Sequence, residues 1–85
     1  MTDKFLECFQ HIPNHIKRSA RRSYRIWRKH PNYPGLQFKK VGKKHKVYSV
    51  RVGIGWRALG VKDQDAIIWF WIGSHAEYDQ LLKQS

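Results

Sequence analysis

The stretch from residue 66 to residue 72 is apolar on both sides of an extended chain, and few folds can accommodate such a strand. Alternate residues of a strand point to opposite faces, and here both sets are apolar: Ile68, Phe70 and Ile72 on one face, Ile67, Trp69 and Trp71 on the other. A strand of this kind must be covered on both faces. The pattern therefore predicts that residues 66–72 form a central strand of a sheet.

Three other runs with strand character precede this one. Connections of three or four residues separate the four runs, and connections that short join antiparallel neighbours. The sequence therefore predicts an antiparallel meander built from residues 36–41, 46–52, 56–61 and 66–72.

The first thirty residues have helical periodicity instead. Ile16, Ala20, Tyr24 and Trp27 recur at helical spacing, which predicts an amphipathic helix over residues 13–30. A short apolar segment, residues 5–9, predicts a preceding helix that forms a hairpin with it.

A third helix is expected after the last strand, because Ser74 and Glu77 have the spacing of a capping box that opens a helix over residues 74–82. We expect an α+β fold in one domain, residues 1–85: an N-terminal helical hairpin packed on a four-stranded, mainly antiparallel sheet, with a short C-terminal helix.

Charge is distributed very unevenly along the chain. From Cys8 through Lys62 there is no Asp or Glu, yet fifteen of the seventeen Lys and Arg lie there. The surfaces of ordinary soluble proteins mix positive and negative charges. A surface that is positive throughout favours a polyanionic partner such as a nucleic acid. Charge that serves solubility alone is the alternative.

Several classes of function are disfavoured by composition. Cys8 is the only cysteine and the histidines show no metal-ligand spacing, which argues against a disulfide or a zinc site and fits a reducing cytosol. The N-terminus lacks a secretory signal, and the longest apolar run is far shorter than the roughly 20 residues that cross a bilayer. We expect a cytoplasmic protein with no metal, no small-molecule cofactor and no membrane partner.

Two arginines lie on neighbouring predicted strands. Arg57 is in a run that is otherwise mostly apolar, where a charge is disfavoured unless its guanidinium reaches a cleft or an acidic partner. A phosphate would satisfy it; an edge-strand arginine reaching water is the alternative. Arg51 faces outward from the preceding strand, and the turn between the strands could bring the two arginines together.

His75 and Tyr78 are three residues apart on the first turn of the last helix, so they share a face. Histidine can transfer a proton near neutral pH, and tyrosine offers a phenol or a stacking ring. The alternative is an exposed residue at a helix start beside a core aromatic.

A cationic ribbon follows the first strand and its loop, and a cationic arc covers the long helix. Both sets are candidates for contact with the phosphates of a nucleic acid, with simple solvation as the alternative. Because strand alternation separates Lys39 from Lys40, only one of them can face a given cleft. The candidates are Lys39, Lys40, Lys43, Lys44, Lys46, Arg21 and Arg25.

These pieces together resemble the RelE/ParE superfamily of bacterial toxins over nearly the whole chain. The most specific part is the pair of signatures Y-S-V-R followed by W-R-A-L-G, at residues 48–60, and I-G-S-H-A-E-Y, at residues 72–78. Two departures are visible. Members usually begin with a β-strand, whereas this chain starts at a helix, and the catalytic acid of some branches has no counterpart here.

The resemblance implies a toxin that a cognate acidic antitoxin protein neutralises. In the RelE-like branch the toxin is an mRNA endoribonuclease that cuts messages on the ribosome without a metal. Our hypothesis for this chain is attack of a 2′-hydroxyl on the adjacent phosphate. The resemblance implies that Arg57 contacts the scissile phosphate, with Arg51, His75 and Tyr78 as further catalytic residues. The alternatives are a ParE-like toxin that acts on DNA gyrase and a nucleic-acid-binding module without chemistry.

Overall fold

The computed structural model describes residues 1–42 and 46–84 and confirms the predicted α+β fold class. A helical hairpin lies on one face of a four-stranded sheet, and the last helix lies on the other. The elements are α1 (Asp3–Gln10), α2 (Asn14–Lys29), a 3-10 turn (Pro34–Leu36), β1 (Lys39–Lys40), β2 (Val47–Val52), β3 (Trp56–Asp63), β4 (Ala66–Ser74) and α3 (His75–Gln84).

All strand pairs are antiparallel, in the order β1-β2-β3-β4, so the predicted meander is correct. The β2–β3 register places Arg51 directly opposite Arg57. Residues opposite each other in an antiparallel pair share a face, so the turn at residues 53–55 brings the two arginines to the same side of the sheet.

The prediction that residues 66–72 form a central strand is wrong, because β4 is at the edge of the sheet. Cover on both faces does not require a hydrogen-bonded neighbour on both edges. The hairpin covers one face of β4 and α3 the other. The N-terminal segment before α1 also bonds to the outer edge of β4: the backbone N–H of Thr2 donates to the carbonyl of Trp69 over 3.0 Å.

The predicted faces of β4 are also partly wrong, because a β-bulge interrupts the alternation. Leu59 pairs with Trp71 and Gly60 with Trp69, which leaves Phe70 unpaired. Phe70 and Trp71 therefore both pack on the α3 side. Trp69 and Ile72 face the helical hairpin.

The first strand is shorter than the predicted range of residues 36–41, because the chain still forms a turn at the start of that range. The 3-10 turn ends at Gln37, whose φ of 48° lies in the left-handed region and whose N–H donates to the carbonyl of Pro34. Extended pairing starts only at Lys39, which lies opposite Ser49.

Two apolar clusters stabilise the fold. The larger lies between the hairpin and the sheet, and the smaller joins Leu59, Trp71 and Tyr78 under α3. The hairpin leaves an open, apolar groove of about 230 Å³ between α1 and α2, with Arg21 on its lining. The two faces therefore differ: the hairpin side carries an apolar groove, and the α3 side carries the two arginines.

Candidate active site

Arg57 lies in the interior of the sheet, on β3, with only 6% of its surface exposed. Its position between β2 and β4 excludes the alternative of an edge-strand arginine reaching water. Gly73 is its partner on β4, and the indole of Trp71 fills the space where a Cβ of residue 73 would lie. The guanidinium lies on the α3 side of the sheet, against the ring of Tyr78.

The partners of the Arg57 guanidinium are neutral. Nη1 donates to the hydroxyl of Ser49 over 3.4 Å, and Nη2 donates to Oε1 of Gln37. Nε has no hydrogen-bond partner among the described residues. Burial of a charge without an opposite charge is costly, and such sites are concentrated where function requires them.

Tyr78 covers this guanidinium. The guanidinium carbon lies 5.4 Å from the centre of the Tyr78 ring, which is cation–π geometry. The Tyr78 hydroxyl donates to Ser49 over 3.4 Å. Ser49, which is fully buried, therefore binds both side chains and fixes them relative to each other.

The start of α3 is fixed by the capping box that the sequence predicts. The backbone N–H of Glu77 donates to the Ser74 hydroxyl over 3.2 Å, and the N–H of Ser74 donates to the Glu77 carboxylate over 3.1 Å. The N–H of His75 donates to the carbonyl of Gly55 over 2.8 Å, which ties α3 to the β2–β3 turn.

His75 lies at the open side of the site. Its ring centre is 5.6 Å from that of Tyr78, and its side chain is 53% exposed. Nδ1 lies 3.2 Å from the carboxylate of Asp79. The ion pair holds the imidazole beside this carboxylate through Nδ1, so Nε2 is the ring nitrogen that can exchange a proton with a ligand.

Arg51 is half-buried next to the Arg57 site, and its Nε donates to the carbonyl of Gly53 over 3.0 Å. That bond leaves its terminal nitrogens available for an anion. The arrangement of Arg51, Arg57, Tyr78 and His75 places two guanidinium groups, a phenol and an imidazole on one side of the sheet.

Lys39 is the strand lysine that shares this side, because it pairs with Ser49, whereas Lys40 pairs with Tyr48 and faces the other way. Lys46 is exposed. Lys43 and Lys44 lie outside the described residues.

Arg21 and Arg25 are exposed on α2, on the opposite side of the sheet from Arg57. The Arg21 guanidinium carbon lies 5.4 Å from the centre of the Phe9 ring. The structure therefore does not bring these two arginines together with the Arg57 group.

Sequence reasoning missed three members of the site: Gln37, Ser49 and Asp79. Strand alternation could have identified Ser49, since it lies two residues from Arg51 on the same face. Gln37 carried no signal, because its contact with Arg57 depends on a left-handed turn. Asp79 has the i, i+4 spacing from His75, but an acidic residue near the start of a helix is equally typical of one that complements the helix dipole.

Groups of three or more metal-ligating side chains are absent from the described residues, 1–42 and 46–84. Within the same ranges, no helix is both long enough and apolar enough to cross a membrane. Among the residues that the structure describes, no Lys or Arg has a carboxylate within ion-pair distance. The ion pair found there joins His75 and Asp79. The cationic surface is therefore open to anions.

Comparison with known proteins gives one family and one fold. Residues 14–80 match the model of the ParE-like toxin domain. A chain in the crystal structure of the RelB-RelE antitoxin-toxin complex from Methanococcus jannaschii superimposes with a TM-score of 0.70 and 21% identity, over 94% of each chain. At that identity the likeness establishes the fold alone. No functionally curated protein sequence matches the chain.

Proposed function

Because the chain belongs to the family of ParE-like toxin domains, within the RelE/ParE superfamily, we propose that it is a toxin that cleaves mRNA as a metal-free endoribonuclease. The observation that carries the proposal is the buried Arg57 guanidinium without an acidic partner. A phosphate supplies the missing negative charge and accepts from several guanidinium donors at once.

The proposed reaction is an attack of the ribose 2′-oxygen on the adjacent phosphorus. A bond forms from the 2′-oxygen to phosphorus, and the bond from phosphorus to the 5′-oxygen of the next nucleotide breaks. The products are a 2′,3′-cyclic phosphate and a 5′-hydroxyl. One proton leaves the 2′-hydroxyl and one reaches the 5′-oxygen.

The positions of the side chains support a proposed role for each. Arg57 and Arg51 stabilise the charge that develops on the phosphate oxygens. His75, oriented through Nδ1 by Asp79, exchanges a proton at Nε2 with the 5′-oxygen or the 2′-hydroxyl. Lys39, on the same side of the sheet, binds a flanking phosphate.

Access to Arg57 requires local movement. Tyr78 covers the guanidinium, and Gln37 occupies one of its terminal nitrogens. A phosphate that binds there must displace the Gln37 amide or the Tyr78 ring. Gln37 is exposed, so its displacement costs little packing, and we infer that its amide oxygen occupies the position of a phosphate oxygen.

A protein antitoxin is the proposed regulator. The structure from Methanococcus jannaschii is of a toxin bound to its antitoxin. The surface of this chain, with its net charge of +11, suits an acidic segment that folds on binding.

The test is induced expression in bacteria of the native chain and of the double variant Arg57→Met, His75→Gln. Methionine fills the space of the buried arginine. We expect growth arrest and new transcript ends with 5′-hydroxyl groups, mapped by primer extension, with both lost in the double variant. The matched control is Arg22→Met, His11→Gln, two exposed positions on the hairpin, which should arrest growth like the native chain.

Action on DNA gyrase is the second candidate, since the family model that matches is the ParE-like one. In that case growth arrest would occur without new transcript ends and would persist in the double variant. Salt dependence separates the candidates in vitro, because contact with about six phosphates of a single strand predicts a log-log slope near −4. A largely apolar protein target gives a shallower slope.

A further inference from the structure

Ile54 is the most exposed large apolar residue among those that the structure describes. It lies at the tip of the β2–β3 turn, and 86% of its surface is exposed. Single exposed apolar residues are common, but a β-branched residue is unfavourable at a tight turn, where Gly, Asn, Asp and Ser prevail. The position therefore gains nothing in stability from isoleucine.

The turn that carries Ile54 is held on three sides. Gly53 and Gly55 adopt left-handed φ angles of 58° and 81°, which an L side chain would strain. The carbonyl of Gly53 accepts from Nε of Arg51, and that of Gly55 accepts from the N–H of His75. A Cβ at Gly53 would lie 3.3 Å from the Ser19 hydroxyl of α2.

These bonds fix Ile54 relative to the candidate active site. Arg51 and Arg57 form the second residue pair from the turn, behind Val52 and Trp56. With a rise of roughly 3.4 Å per residue, the tip is about 10 Å from the two arginines. His75 flanks the turn through the bond to Gly55.

We propose that Ile54 packs against the face of a nucleobase beside the phosphate bound by Arg51 and Arg57, an inference that depends on the proposed binding of RNA. Apolar side chains insert against base faces in other nucleic-acid-binding proteins. Because every base has an apolar face, such a contact tolerates sequence and positions the strand. A side chain on a fixed turn also loses little entropy on binding.

The test compares two nine-nucleotide probes that cannot undergo 2′-hydroxyl attack: a fluorescein-labelled 2′-O-methyl uridine nonamer and the same backbone without bases. Fluorescence anisotropy gives Kd for the native chain, Ile54→Ala, Ile68→Ala and Arg51→Ala. Ile68 is a partly exposed isoleucine of β4 and serves as the matched control.

We expect Ile54→Ala to weaken binding about tenfold on the uridine probe, which is about 1.4 kcal/mol, and to have no effect on the probe without bases. Ile68→Ala should match the native chain on both probes, and Arg51→Ala should weaken both. Unchanged thermal unfolding of Ile54→Ala would show that its fold is intact.

Equal affinities of Ile54→Ala and the native chain on the uridine probe would overturn the base contact. An equal loss on both probes would also overturn it. Cleavage is measured separately by primer extension on cellular transcripts, where ribosomes are present. A native chain that binds through Ile54 but generates no new transcript ends would refute the proposed nuclease function and leave the base contact established.

Discussion

The guanidinium carbon of Arg57 lies 5.4 Å from the centre of the Tyr78 ring, and both residues are almost completely buried. The face of the ring is a weaker electrostatic partner than a carboxylate, which would neutralise the charge of the guanidinium. A carboxylate there would compete with a phosphate for the same donors. The neutral partners therefore keep Arg57 available at some cost to the stability of the fold.

The first prediction follows from that cost. Arg57→Met removes a buried charge and the unpartnered Nε while keeping most of the volume, so the free energy of unfolding should stay the same or rise by about 1–3 kcal/mol. Urea unfolding measures this. Growth arrest should be lost in the same variant. The exposed control Arg22→Met should change stability by less than about 0.5 kcal/mol; a clear loss of stability in Arg57→Met alone would contradict this account.

Ser49 should be more important for stability than its small size indicates. Ser49→Ala deprives both Arg57 Nη1 and the Tyr78 hydroxyl of their buried acceptor, which should cost about 1–3 kcal/mol in urea unfolding. Ser19→Ala is the control, because that hydroxyl donates to the His15 carbonyl of its own helix and its removal should be nearly neutral. Similar values for the two variants would show that Ser49 does not hold Arg57.

His75 should affect the rate of cleavage and leave the fold intact. If it transfers a proton, His75→Gln should slow single-turnover cleavage by roughly 10²–10⁴-fold, with RNA affinity and thermal unfolding unchanged because the side chain is half exposed. Asp79→Asn should give a smaller loss, since it changes only the orientation of the imidazole. A fully active His75→Gln variant would remove this residue from the mechanism.

Much of the fold is predictable from the sequence because local signals were strong. The helical period predicted α2 correctly, and the capping box of Ser74 and Glu77 predicted the start of α3. The short turns predicted the antiparallel meander. The apolar residues on both faces of β4 predicted that the strand is buried, but they did not predict its place at the edge of the sheet. Burial and hydrogen bonding are separate requirements, and the sequence pattern reports only burial.

The candidate site was predictable in part, for a similar reason. Arg57 was predictable as a site residue because a charged residue is unusual in an otherwise apolar strand. Strand alternation and the short turn together predicted that Arg51 lies beside it. The contact of Arg57 with Gln37 depends on a left-handed backbone at the end of a 3-10 turn. The bulge at Phe70 likewise puts Trp69 and Trp71 on opposite faces of the sheet, and no local pattern encodes it.

That bulge leads to the last prediction, which concerns Gly60. A Cβ at this position would lie 2.5 Å from Cγ2 of Ile67 and 2.8 Å from Cε3 of Trp69. Trp69 is a buried core residue and Ile67 packs against that core, so Gly60→Ala should lower the free energy of unfolding by about 1–3 kcal/mol through overpacking.

Gly35→Ala is the matched control for this prediction. Its Cβ would meet the ring of the exposed Tyr33 at 2.9 Å, and that ring can turn away into solvent. Urea unfolding should therefore show little change for Gly35→Ala. Equal stability of the two variants would mean that β4 can shift its bulge to accept a side chain at residue 60, and that the indole of Trp69 is not fixed over the glycine.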